Sequence, residues 1–146
     1  MAVVAAVGLT SCSSDATGSS RASSRTVTVE RVVDGDTLET ASGDRVRLIG
    51  IDTPEIGTCG FDAASSAMRR MAEGRRVELV NPASVQDTDT YDRLLRFVEV
   101  DGTDVGYAQI KAGRASARYD SRDGYDPHAR EDRYRAADRS SPGPCG

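Results

Sequence analysis

Two short acidic clusters, Asp34-Gly35-Asp36-Thr37 and Asp52-Thr53-Pro54-Glu55, gather four carboxylates into two tight groups. Carboxylates held close without paired bases repel and raise one another's pKa. A hard divalent cation resolves that repulsion, since Ca²⁺ and Mg²⁺ prefer oxygen ligands. Each cluster alone is ambiguous, because Asp-Gly is most often a turn and Asp-Thr-Pro-Glu also reads as a helix start. Two arginines add weight: Arg47 lies five residues before Asp52, and Arg93 ends Asp89-Thr90-Tyr91-Asp92-Arg93. A guanidinium offers phosphate a planar fork of donors, and two can clamp a phosphoryl group from different sides. Carboxylates for a cation, a spare carboxylate as base and two arginines suffice to hydrolyse a phosphodiester. For any single arginine, a surface ion pair is the commoner fate.

Composition narrows the field further. The chain has 146 residues, a formal charge of −4, 5% aromatics and no Trp. One domain fits that length comfortably, with a core built from Val, Leu, Ile and Ala. Its single histidine, His128, excludes a His-cluster metal site, and Cys12, Cys59 and Cys145 lack zinc or redox spacing. No stretch approaches the roughly 20 apolar residues of a membrane span. An acidic chain is a poor non-specific binder of nucleic acid, so a polyanionic substrate would need local arginines or a bridging cation.

The elements that must position these groups can be read from Thr26 onward. Thr26-Val27-Thr28-Val29-Glu30-Arg31-Val32-Val33 alternates with period two, as a half-buried strand does. Asp34-Gly35 turns the chain into a second strand, Thr37–Thr40, and Ser42-Gly43-Asp44 into a third, Arg45–Gly50. Asp62 is expected to cap a helix with Ala63, Ala64, Ala67, Met68, Met71 and Ala72 on one stripe, closed by Gly74. Val77–Val80 and Leu94–Val100 read as further strands around a polar loop. Asp104 caps a second helix stopped by Gly113, and Asp126-Pro127 opens a third. Five short strands with a helix between the third and fourth predict an α+β fold with a mainly β core, a five-stranded OB-type barrel with three helices. A ferredoxin-like sheet fits worse, since it needs a helix directly after the first strand. His128 is expected on the surface. Arg114, Arg118, Arg122 and Arg130 could line a nucleic-acid groove, although alternating Arg/Asp runs are usually solvated.

Val32-Val33-Asp34-Gly35-Asp36-Thr37-Leu38, then Arg47-Leu48-Ile49-Gly50-Ile51-Asp52-Thr53-Pro54-Glu55, then Tyr91-Asp92-Arg93 resemble the staphylococcal nuclease (thermonuclease) family, roughly over residues 27–138. The resemblance implies an OB barrel with three helices and Ca²⁺-dependent cleavage of DNA and RNA, with single strands preferred and 3′-phosphates left. By position, it makes Asp36 and Asp52 calcium ligands with the Thr53 carbonyl, and Glu55 the residue that activates or positions water. Arg47 and Arg93 correspond to phosphate-binding arginines, and Tyr91 and Tyr119 to tyrosines near the nucleotide. Asp92 stands where the family usually has Gly, and Thr90 where a basic residue is common; the latter implies weaker substrate affinity. A monomer is expected. The alternative, from another class, is a non-catalytic OB lipoprotein that binds single strands without cutting.

At the N-terminus an apolar run, Met1–Leu9, precedes Thr10-Ser11-Cys12 and a Ser/Gly-rich stretch. Leu9-Thr10-Ser11-Cys12 resembles a bacterial lipoprotein box, which implies export, lipidation of Cys12, a membrane anchor and a flexible tether over residues 1–25. The domain proper is then 26–146. With Cys12 set aside and an oxidising compartment implied, Cys59 and Cys145 are the remaining pair. A bridge between them would pin the Ser140–Gly146 tail to the domain and, by chain entropy, contribute roughly 4–5 kcal/mol.

Overall fold

The computed structural model describes residues 22–146. Cys12, the apolar run and most of the 1–25 segment lie outside the described residues. Strand β1 (Ser23–Val32) is followed by β2 (Thr37–Thr40), β3 (Arg45–Leu48) and the short β4 (Ile51–Asp52). Helix α1 (Phe61–Ala72), β5 (Arg76–Asn81), β6 (Leu94–Val100) and β7 (Thr103–Asp104) come next. Helix α2 (Val105–Lys111), β8 (Ser116–Ala117), a 3₁₀ turn (Ser121–Asp123) and α3 (Glu131–Ser140) complete the order.

Five strands close on themselves. β1 pairs antiparallel with both β2 and β5, β2 with β3, and β5 with β6, while β3 and β6 seal the ring in parallel. Strand β1 serves both sides because its register shifts between Val29 and Arg31. Its first half follows β5 and its second follows β2, and such a bulge supplies the bend that closure needs. This is the OB-type barrel that the strand order predicts, with three helices around it. Val29, Leu38, Val46, Leu48, Val77, Leu79 and Val98 are buried in its core, and Met68, Ile110 and Tyr134 of the helices join the same cluster.

The structure adds the short strands β4, β7 and β8 and a 3₁₀ turn to the elements read from sequence, and the remaining differences lie at element ends. Strand β1 begins at Ser23, because Ser23, Ser24 and Arg25 find partners in Asn81, Val80 and Leu79 of β5; edge pairing there overrides polar composition. The third strand stops at Leu48, where Gly50 (φ 76°) turns the chain into β4. Helix α1 starts one residue before Asp62 with Gly60 in the capping position, and Asp62 sits in the first turn, favourable to the helix dipole. Its buried face includes Ser65, whereas Ala63 is exposed. Asp104 caps α2 as expected, accepting from Tyr107 N at 3.0 Å. Asp126 does not cap α3, which begins only at Glu131; its carboxylate instead accepts from Gln86 N at 3.0 Å. A tertiary partner outcompetes the local cap.

Candidate active site

The acidic turn is held from three sides. Asp34 Oδ1 accepts from Asp36 N at 3.0 Å, which folds Asp34-Gly35-Asp36 into a tight Asx turn between β1 and β2. A Cβ on Gly35 would lie 2.7 Å from Ala64 Cβ and 2.8 Å from Thr53 Cγ2, so only glycine lets the turn approach α1 and the residue after β4. The fully buried Gln109 amide donates to Gly35 O (3.0 Å) and Ala64 O (2.9 Å), fixing the turn to α1. Asp36 Oδ2 accepts both the Thr53 amide and the Thr53 hydroxyl at 2.9 Å, and Thr37 Oγ1 donates to Oδ1 at 3.0 Å. The two acidic clusters, 17 residues apart in sequence, are thus tied by one carboxylate and one threonine.

Arg47 projects from β3 into the same place. Its Nε lies 3.2 Å from Asp36 Oδ1, its Nη2 3.5 Å from Asp52 Oδ1, and its Nη1 donates to Leu48 O at 2.7 Å. The guanidinium sits 5.5 Å from the centre of the Tyr119 ring. Arg93 enters from the opposite loop. Asp89 Oδ1 accepts the Tyr91 and Arg93 amides at 2.9 and 3.1 Å, and Asp89 Oδ2 accepts Arg93 Nε at 2.7 Å. Behind that loop, the buried Arg96 of β6 grips Asp87 through its side chain (2.6 Å) and its carbonyl (3.0 Å). Asp34, Asp36, Arg47, Asp52, Thr53, Glu55, Tyr91, Arg93 and Tyr119 all line one open cleft of about 500 Å³, as do Val85, Gln86, Tyr125 and Asp126.

The cleft is electrostatically unbalanced. Burial and then the neighbouring Asp36 charge push the Asp34 carboxyl above its ordinary range. Burial also raises Asp52, with Arg47 opposing and Asp36 adding to it. Burial and the Asp52 charge raise the Tyr119 phenol. Asp89 goes the other way: burial opposes its charge, but the Arg93 and Tyr91 amides and the Arg93 side chain hold it below the ordinary range. Among the described residues no three Asp, Glu, His or Cys side chains already stand at metal-ligand spacing. Arg47 occupies the gap between Asp36 and Asp52. The donor set is all oxygen, with two carboxylates penalised for their charge, and so suits a hard cation rather than zinc.

Tyr125 and Asp89 are cleft residues that sequence reasoning missed. Tyr125 meets Tyr119 edge to face with ring centres 5.3 Å apart. No local pattern marks it, because only the 3₁₀ turn brings it back to Tyr119. His128 is buried, not on the surface: its ring packs against Phe97 and Tyr134, and a Cβ on Gly50 would meet Nε2 at 2.6 Å. The four groove arginines lie outside the cleft lining, each with its own partner. Arg114 donates to Gln109 Oε1, Arg118 lies 3.9 Å from Asp123, Arg122 pairs with Asp132, and Arg130 with Glu99 and Asp104.

Residues 45–140 match the family described as staphylococcal nuclease homologue. The chain belongs to that family. Over 103 residues, 64% of this chain, it is 39% identical to the SPbeta prophage-derived endonuclease YokF of Bacillus subtilis (strain 168). It is 35% identical over 103 residues to endonuclease YncB of the same organism. The match covers 34% of YokF and 48% of YncB, so the chain spans a third to a half of the length of these relatives. The family's barrel and helices are those described above. The matched segment carries Arg47, Asp52, Thr53, Glu55, Tyr91, Arg93 and Tyr119; Asp36 precedes it in β1–β2 and reaches it through Thr53.

Proposed function

We propose that the protein is an exported, calcium-dependent nuclease that hydrolyses phosphodiester bonds of DNA and RNA and leaves 3′-phosphates. The observation that carries this reading is the convergence of Arg47 and Arg93 with Asp36, Asp52 and Glu55 in one cleft. Family membership and two endonuclease-named relatives support it. The disulfide between Cys59 and Cys145, with Cα atoms 5.7 Å apart, accords with an oxidising compartment and hence with export. Anchoring through a lipidated Cys12 belongs to the same reading.

In the mechanism, Asp36 and Asp52 with the Thr53 carbonyl would hold Ca²⁺. Bound there, the cation would supply Lewis-acid stabilisation of negative charge on the phosphoryl oxygens. Arg47 and Arg93 face the cleft from a barrel strand and from a loop, so they can grip a phosphate from two sides. In doing so Arg47 exchanges Asp36 and Asp52 for phosphate oxygens. Glu55, on the exposed segment after Thr53, accepts a proton from, or orients, the attacking water. Tyr91 and Tyr119 offer ring faces to bases of an unpaired strand.

The decisive assay incubates the full chain with denatured DNA in Ca²⁺ and in EGTA. Calcium-dependent fragments ending in 3′-phosphate are expected, and Arg93→Ala and Glu55→Ala should lower their yield by orders of magnitude. Persistence of cleavage in chelator would overturn the metal assignment. Binding without cleavage would instead favour the single-strand-binding alternative.

A further inference from the structure

The segment that carries Glu55 has little of the barrel beneath it. Thr53 is anchored on Asp36, but Glu55, Ile56, Gly57, Thr58 and Cys59 are all exposed. The hydrogen bonds there fold the loop on itself: Thr58 N and Oγ1 donate to Glu55 O at 3.0 and 2.6 Å, and Phe61 N to Thr58 O at 3.3 Å. What the loop rests on is the C-terminal tail. A Cβ on Gly60 would lie 2.6 Å from Pro144 O and 2.9 Å from Pro54 Cγ, so the two prolines sandwich the loop's exit. Next to this contact the Cys59–Cys145 disulfide joins tail and loop.

The tail itself is tied back to the site. Ser141 N and Oγ both donate to Asp138 O at 3.1 Å, and Pro142 packs on Gly113, where a Cβ would meet Cγ at 2.8 Å. Asp138 Oδ2 accepts from Ala117 N of β8 at 3.1 Å, and β8 pairs with Ile51 and Asp52. A closed circuit therefore runs from Asp52 through β8, α3 and the tail to Cys145, Cys59 and back to the Glu55 loop. Neither cysteine belongs to the barrel core.

We propose that the Cys59–Cys145 disulfide, with Pro144, is the positioning element for Glu55, so that full activity requires the disulfide to be closed. The inference rests on the reading of Glu55 as the water-directing carboxylate. Opening the bridge takes two electrons and two protons from a dithiol, which becomes a disulfide while Cys59 and Cys145 become thiols. The barrel stays closed, but the loop loses its support and the carboxylate its fixed distance from the phosphate.

The test compares the oxidised full chain, the same chain reduced by dithiothreitol, and the Cys59→Ser/Cys145→Ser variant, with thiol titration and circular dichroism at the assay temperature. We expect kcat on denatured DNA to fall at least fivefold on reduction with KM changed less than twofold, and the double variant to match the reduced chain in both buffers. Glu55→Gln, already without the carboxylate, should be insensitive to dithiothreitol. A folded, reduced chain with full kcat would overturn the proposal, as would an equal further loss in Glu55→Gln. If the double variant unfolds, Pro144→Gly in the oxidised chain carries the test, and an unchanged kcat there is equally decisive against it. Amide hydrogen exchange separates this inference from the nuclease reading. Exchange of the Thr58 and Phe61 amides, the hydrogen-bonded donors of the loop, should rise at least tenfold on reduction while barrel amides stay protected; unchanged exchange sinks the strap, whereas an inactive oxidised chain with faster exchange on reduction sinks the nuclease reading alone.

Discussion

Arg47 and Arg93 are the same side chain held in two different ways. Arg47 stands on β3, its side chain 11% exposed, with two carboxylates, a carbonyl and an aromatic ring around it. Arg93 stands at the end of a loop, 26% exposed, and its orientation depends on Asp89 and on the Tyr91 ring 5.4 Å away. The barrel positions the first, and one Asx turn positions the second. A buried guanidinium between carboxylates is part of the fold as well as of the cleft; a half-exposed one on a loop is part of the cleft alone.

The largest expected effects break that comparison. Arg47→Ala and Arg93→Ala should each lower kcat on denatured DNA by about 10²–10³, the usual loss for a donor aimed at transition-state charge. Stability should separate them. Arg47→Ala leaves buried Asp36 without its cation, and breaking a buried pair costs about 3–5 kcal/mol. The lower end applies, because Thr37 and Thr53 still donate to Asp36. Arg93→Ala should shift the urea midpoint little, and calcium should recover part of the loss in Arg47→Ala. Equal destabilisation by both substitutions would remove the distinction.

Next in size is Asp89→Asn. The amide oxygen still accepts the Tyr91 and Arg93 amides, so the turn survives, but the NH2 that replaces Oδ2 cannot accept from Arg93 Nε and that charge-assisted bond is lost. Losing about 1.4 kcal/mol of positioning corresponds to roughly tenfold in rate. Initial rates at saturating calcium would show it as a fall in kcat with unchanged melting temperature. The parallel change on the barrel side, Asp52→Asn, should weaken calcium binding, which titration calorimetry reads directly.

How legible this was from sequence follows the same division. Barrel strands announce themselves by period-two alternation, as Val27 and Val29 do, and Asp104 marks its helix because its cap is local. The contacts that orient Arg93 are local too, yet Asp89 reads as one more polar residue of a polar loop. Gln109, His128 and Asp126 were illegible for another reason. Their partners, Gly35, Gly50 and Gln86, lie 74, 78 and 40 residues away, and no spacing rule connects them. Its place near the start of the last helix reads as surface for His128, and only tertiary packing turns it inward against Phe97.

That buried histidine gives a pH-dependent way to sharpen the contrast. Burial depresses His128 below its ordinary 6.5, while Glu131, Asp120 and Asp104 pull it up and Arg130 adds to the depression. The unfolded chain then binds more protons than the folded one, so stability is intact above pH 6.5 and declines as pH falls toward the depressed value. His128 supports Gly50, which leads into Asp52, so acid should loosen the Arg47 side first. Melting temperature measured from pH 7.5 to 5 should fall in the parent chain and fall less in His128→Leu. Identical slopes would place the acid sensitivity elsewhere.

The smallest effect concerns Asp92, beside Arg93. Its φ is +58°, in the left-handed region where a Cβ is disfavoured, and this is why glycine suits that position. Asp tolerates the region better than most residues, so relief of strain in Asp92→Gly should be worth no more than about 1 kcal/mol. Against it works the entropy that glycine adds to the unfolded chain, which takes back part of the gain. Removing the carboxylate also lifts one negative charge from the approach of a phosphate to Arg93. Electrostatics therefore predicts a lower KM for DNA, by about twofold at low salt and less at high salt, with kcat unchanged. Arg47, held by strand β3 with Asp36 and Asp52, should be indifferent to the change. A shift in kcat rather than KM would mean that Asp92 shapes the loop that aims Arg93 and does more than repel its ligand.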